Sequence, residues 1–82
     1  MVKVAAADSA FRLYTDGLGE LEVEATSVRR LIAALEARFP GLGEHVSRRM
    51  AVAIDGEIHQ DADDAPLRPG AEVWLIPKIG GG

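Results

Sequence analysis

The sequence predicts an α+β domain: a mixed four- to five-stranded sheet with one main helix packed on one face. Three observations carry this. Gly19-Glu-Leu-Glu-Val-Glu-Ala25 alternates apolar and acidic residues, the period of a half-buried strand. Val28, Leu31, Ile32, Leu35 and Phe39 then fall at steps of 3, 1, 3 and 4, the stripe of an amphipathic helix. Met50-Ala-Val-Ala-Ile54 and Glu72-Val-Trp-Leu-Ile76 add two more strand-like runs behind it. A chain of 82 residues holds one such core and leaves no room for a second.

The elements follow in order. Val2 and Val4 alternate with Lys3, a short first strand with one buried face. Asp8 to Asp16 has no clear period and reads as a connection holding about one helical turn. Asp16-Gly17 and Gly19 supply turns before the strand at 19–25. Thr26 or Ser27 supplies the helix N-cap oxygen, and Pro40-Gly41 ends the helix. Leu42 to Arg49 is expected to be irregular. In the third strand Met50, Val52 and Ile54 share one face, Ala51 and Ala53 the other. Asp55-Gly56 is a type I′ hairpin signal, and Glu57-Ile-His59 begins the return strand. Asp61 to Pro66 reads as an acidic loop, and Arg68-Pro-Gly70 as a turn in front of the last strand. The order is β–β–α–β–β–β. A crossover through the helix places the first and last strands side by side in the middle of the sheet.

Composition narrows the function. Thirteen acids against nine bases give a net charge of −4, without the basic face that phosphate contacts demand. Nucleic-acid binding is therefore not expected. There is no cysteine, which excludes disulfides, thiolate metal sites and a cysteine nucleophile. A secreted domain of this size usually needs disulfide staples, so a cytoplasmic location is expected. No apolar run approaches the ~18 residues of a membrane span, and the first eight residues lack a signal peptide's apolar stretch. No membrane partner is expected.

Motifs for autonomous chemistry are missing. Asp61, Asp63 and Asp64 suggest a calcium loop, but Pro66 stands where the loop needs glycine, although Glu72 falls at the twelfth position. No metal site is expected. His45 and His59 have no cysteine or close histidine partner and read as surface histidines. Ser9, Ser27 and Ser47 sit in no nucleophile elbow. No phosphate-binding glycine loop occurs. The chain is not expected to be an enzyme.

The informative segment is Gly80-Gly81-Gly82. Without Cβ atoms it can enter a narrow tunnel in conformations closed to other residues. Its reactive group is the α-carboxylate of Gly82, inert until activated. A partner using ATP can convert it to an acyl-adenylate, whose AMP leaves when sulfur or an amine attacks. That chemistry needs no cysteine in the carrier.

These residues bring a family into view. The chain resembles the MoaD/ThiS family of ubiquitin-like sulfur carriers over essentially its whole length. The resemblance is carried by Thr26-Ser-Val28, Leu31-Ile32 to Phe39-Pro40, Val52-Ala-Ile-Asp-Gly-Glu57, Leu67-Arg-Pro-Gly-Ala-Glu-Val73 and Ile76-Pro-Lys-Ile-Gly-Gly-Gly82. The separate pieces are generic; the combination is specific. The ending is most like that of the molybdopterin synthase small subunit. Pro77-Lys78-Ile79 departs from the Pro-Pro-Val often found there, which leaves thiamine or another sulfur product open. The resemblance implies a β-grasp domain over 1–77 and a flexible tail over 78–82. It implies a ubiquitin-activating-type adenylyltransferase, a sulfur donor protein and a large synthase subunit as partners. It implies no bound cofactor; ATP is used by the activating partner. Gly82 would carry the adenylate and then a thiocarboxylate, with Gly80 and Gly81 completing the tail. A lysine-linked protein modifier and a non-activated β-grasp interaction module are the other readings.

Parity in the last strand locates a partner surface. Glu72 belongs in water, so Val73 and Leu75 should face the helix and Trp74 and Ile76 the open side of the sheet. Ala51 and Ala53 would flank them as small, flat surface, and Lys78 and Ile79 would extend the contact, the lysine pairing with an acidic partner group. An exposed apolar patch with a Trp at its centre is a common binding anchor. The competing reading has the Asp8–Asp16 segment covering Trp74.

Overall fold

The computed structural model describes residues 1–6, 8–59 and 64–78. The elements are β1 (Val2–Ala6), α1 (Ser9–Tyr14), β2 (Glu20–Val23), α2 (Val28–Arg38), α3 (Leu42–Arg49), β3 (Met50–Ile54), β4 (Glu57–His59) and β5 (Glu72–Pro77). One five-stranded sheet has the order β2-β1-β5-β3-β4. β1 and β5 are parallel and central, as expected for strands joined through a crossover. β2 lies antiparallel to β1, and β3 lies antiparallel to both β5 and β4. The fold is an α+β β-grasp.

The turns obey their residues. Asp16 and Gly17 both take positive φ, 57° and 90°, and the Leu18 N–H donates to the Thr15 carbonyl at 3.3 Å. Asp55 and Gly56 do the same at 48° and 88°, the two-residue hairpin that Asp-Gly favours. The Ala71 N–H closes on the Arg68 carbonyl at 3.0 Å, with Gly70 at positive φ.

The core lies between the sheet and the helices. Val2, Val4, Leu21, Val23, Val52, Val73 and Leu75 enter it from the strands. Val28, Leu31 and Leu35 enter it from α2 with Ile32 and Phe39 packed alongside, and Leu42 and Val46 enter it from α3. Of the two candidate caps for α2, Ser27 is the one used: its Oγ accepts from the Arg30 N–H at 3.2 Å.

Two segments differ from expectation. Leu42–Arg49 is not irregular but an eight-residue helix, α3. Its own N-cap is Gly41 in the left-handed region, which offers no side-chain oxygen. The cap comes from the preceding helix. The Glu36 carboxylate accepts from the Gly41 N–H at 2.7 Å and the Glu44 N–H at 3.3 Å. These bonds hold the Glu36 carboxyl below its usual range. A helix capped by another element leaves no local start signal. The second segment, Asp8 to Asp16, is more ordered than a bare connection. Asp8 caps α1 by accepting from the Ala10 N–H at 3.2 Å, and Phe11 is sealed in the core.

Candidate functional site

The face of the sheet turned away from the helices is the candidate site. β5 builds its centre. Val73 and Leu75 are each 1% exposed on the core side, whereas Trp74 is 49% exposed on the open side. Ile76 beside it is half-buried, and Glu72, Pro77 and Lys78 are exposed. The parity reading of this strand therefore holds. Asp8–Asp16 does not cover the indole; its buried residues Phe11 and Thr15 turn inward.

The ladders set the neighbours. Trp74 pairs with Ala5 on β1 and Ala53 on β3, and Ala53 pairs in turn with Ile58 on β4. Ile76 pairs with Ala51. Residues in register share a face, so Ala5, Ala51, Ala53, Trp74, Ile76 and Ile58 form one apolar strip. The expectation of Ala51 and Ala53 as flat exposed surface is corrected. They lie on this face but are only 4% and 8% exposed. A methyl group rises too little above the pleat to stay accessible between larger neighbours. The two alanines form the floor on which Trp74 and Ile76 stand.

Sequence reasoning missed Ile58, which is 60% exposed. The signal was available. A two-residue Asp-Gly hairpin pairs Ile54 with Glu57 and therefore Ala53 with Ile58, which puts Ile58 on the Trp74 face.

Lys78, expected to pair with an acidic group of a partner, makes two bonds within the chain. Its ammonium donates to the Ser47 carbonyl at 3.2 Å in an exposed bond, and its N–H donates to the Arg49 carbonyl at 3.0 Å. An exposed bond of this kind exchanges readily with water, so the cation can be redirected by a partner. Ile79, Gly80, Gly81 and Gly82 lie outside the described residues.

The rest of the chain offers little competing chemistry. His45 is not a plain surface histidine. Its Nε2 lies 3.1 Å from Asp8 Oδ2, and its ring lies 5.5 Å from that of Tyr14. That hydrogen bond, ahead of the opposing effect of burial, holds the Asp8 carboxyl below its usual range. The pair ties α1 to α3 and lies among the helices, away from Trp74. His59 sits 3.6 Å from Glu57. Among the described residues, no three His, Asp or Glu side chains are grouped to hold a metal ion. Asp64 pairs with Arg29 at 3.1 Å, and Asp61 and Asp63 lie outside the described residues. No helix of the described chain is long and apolar enough to cross a membrane.

Known proteins share this arrangement. A chain of the Amycolatopsis orientalis BexX/CysO complex superposes with a TM-score of 0.84 at 21% identity, covering 100% of both chains. Small archaeal modifier protein 1 from Methanosarcina acetivorans gives 0.77 at 21% identity, covering 99% of this chain and 95% of its own. A Pyrococcus furiosus structure, described as a candidate molybdopterin converting factor subunit 1, gives 0.71 at 24%, covering 95% and 97%. At these identities the likeness speaks for the fold. No curated protein sequence matches the chain. The model of the ThiS family matches residues 12–82, from α1 through the three glycines. That span takes in Trp74 and Ile76 of the open face as well as the glycine run, and the chain belongs to the ThiS family.

Proposed function

We propose that this chain is a ubiquitin-like sulfur carrier that works from the carboxylate of Gly82. One observation carries the reading: the family match runs through Gly80-Gly81-Gly82, on a fold whose last strand exposes Trp74 a few residues earlier. A ubiquitin-activating-type adenylyltransferase docks on the Trp74 strip and receives the glycine tail. A Gly82 carboxylate oxygen attacks the α-phosphorus of ATP, and pyrophosphate leaves. Sulfur at the oxidation level of sulfide, brought by a donor protein, then attacks the carbonyl carbon. AMP leaves, and one carboxylate oxygen has been replaced by sulfur. The chain contributes the cargo-bearing atom and the docking face; its partners contribute the catalysis.

The thiocarboxylate delivers its sulfur inside a synthase-type partner, and molybdopterin synthesis is the pathway we put first. Likeness to the Pyrococcus furiosus structure supports it. Lys78 favours a second reading, in which the same chemistry feeds thiamine or another sulfur metabolite, because Pro-Lys-Ile departs from the pattern of the molybdopterin subunit.

The deciding experiment is the intact mass of the chain purified from its own host. The expected result is a fraction heavier by the difference between one sulfur and one oxygen, absent when Gly82 is deleted. An unmodified carboxylate in every preparation, even with activating enzyme and ATP supplied, moves the reading to a plain interaction module.

A further inference from the structure

Lys78 is bound twice to the C-terminal turn of α3. The last four carbonyls of an α-helix have no partner inside the helix. In α3 the Val46 carbonyl accepts from the Met50 N–H. The Arg49 carbonyl accepts from the Lys78 N–H at 3.0 Å, and the Ser47 carbonyl accepts from the Lys78 ammonium at 3.2 Å. One residue thus serves two carbonyls at the end where the helix dipole favours a cation. Glu44, the acid of this helix, is engaged by Arg48 at 3.3 Å. Pro77 stands opposite Met50 at the end of the β3–β5 ladder and has no N–H to donate. Lys78 is therefore the residue that fastens the exit of β5.

α3 is itself held in place. Glu36 of α2 caps its first turn, and Asp8 ties it to α1 through His45. What is fixed to α3 is fixed to the body of the domain. Beyond Lys78 come Ile79, Gly80, Gly81 and Gly82. Four residues span at most about 14 Å. A chain fastened at Lys78 presents its terminal carboxylate within that distance of one defined point. Released there, it gains free length and loses its direction of exit. The ammonium bond is exposed, and such a bond contributes little alone. Here it acts on a residue whose N–H is already placed, so the two bonds support each other.

Resting on the carrier reading above, we propose that Lys78 is a positioning residue for activation. Bonded to Ser47 and Arg49, it fixes the point from which the tail departs, and so raises the fraction of docked chains whose Gly82 carboxylate stands at the nucleotide. It touches no reacting atom. Its effect is preorganisation: a residue ordered before binding need not be ordered during it. This differs from a contact with the partner. A contact changes how tightly the chain binds; a fastened root changes how often a bound chain reacts.

The test uses the full chain with the ubiquitin-activating-type adenylyltransferase of the same host. Lys78→Met removes the ammonium and keeps the N–H and the stem. Lys78→Gly also removes the stem and frees the backbone. Lys78→Arg keeps a cation and its N–H donors. Calorimetry gives Kd, and ATP–pyrophosphate exchange at saturating chain gives kcat. Hydrogen exchange of the amide at position 78 reads the fastening in the free chain. Kd is expected to stay unchanged. kcat is expected to fall by about threefold in Lys78→Met and about tenfold in Lys78→Gly, and to be restored in Lys78→Arg. Amide exchange should quicken in the same order. An unchanged kcat in the Met and Gly variants overturns the proposal and leaves the carrier reading in place. A weaker Kd at unchanged kcat also overturns it, and makes Lys78 a contact with the partner. If the unmodified chain is never activated, the carrier reading fails and this proposal with it.

Discussion

Trp74 and Ala53 face one another across the β3–β5 ladder, yet the indole is 49% exposed and the alanine 8%. The large side chain stands on a floor made by the small one. The indole is therefore a surface group rather than a core residue, and the carrier reading makes it the anchor for the activating enzyme.

Trp74→Ala is therefore expected to cost more in partner binding than in folding. Interface tryptophans of this kind are worth about 2 kcal/mol or more on truncation. Calorimetric titration against the activating enzyme, paired with denaturant unfolding, separates the two. If the variant unfolds the domain, Trp74 belongs to the core.

Appending one residue after Gly82 is expected to abolish sulfur loading while the circular dichroism and melting temperature stay unchanged. The added residue moves the carboxylate away from the position where AMP is attached. Retained loading in the extended chain sinks the carrier reading.

Leu35 lies fully buried on α2 among the residues of both layers. Leu35→Ala leaves a cavity and is expected to destabilise the fold by about 2–5 kcal/mol. Chemical denaturation measures it directly. A loss well below that range means the helix face can collapse around the gap.

Asp8 predicts an acid-side loss of stability. Its carboxyl sits below the ordinary value of 3.8 in the folded chain, first through the His45 hydrogen bond. A lowered folded value means that the stabilisation is present above 3.8 and lost as pH falls through the folded value. Melting temperatures across that window should fall for the unmodified chain and flatten in Asp8→Asn, which cannot titrate. The variant should also be less stable at neutral pH, since the charged arm of the pair between α1 and α3 is gone. Identical acid profiles for the two chains would falsify this coupling.

Much of the fold was legible because its signals are local. Alternation in 19–25, the helical stripe from Val28 to Phe39, and the positive-φ demands of Asp55-Gly56 each lie within a dozen residues. Parity alone turned Val73 and Leu75 inward and Trp74 outward. The glycine run and its family resemblance were readable in the same way, because both are features of the local sequence and need no tertiary contact to be seen.

Three features were decided only by the tertiary structure. α3 takes its N-terminal cap from Glu36 on another helix, so no residue in 42–49 announces its start. His45 acquires its role from Asp8, 37 residues away, a pairing no local pattern encodes. The charged row of Glu22, Lys3 and Glu72 on the open face exists only because three separate strands bring these residues into register. Sequence determined the periods, the turns and the glycine run of this chain, since those follow from each residue's own backbone and side chain. Which distant groups become neighbours, and hence where charge and cover fall, was set by strand order and register, which exist only once the chain has closed on itself.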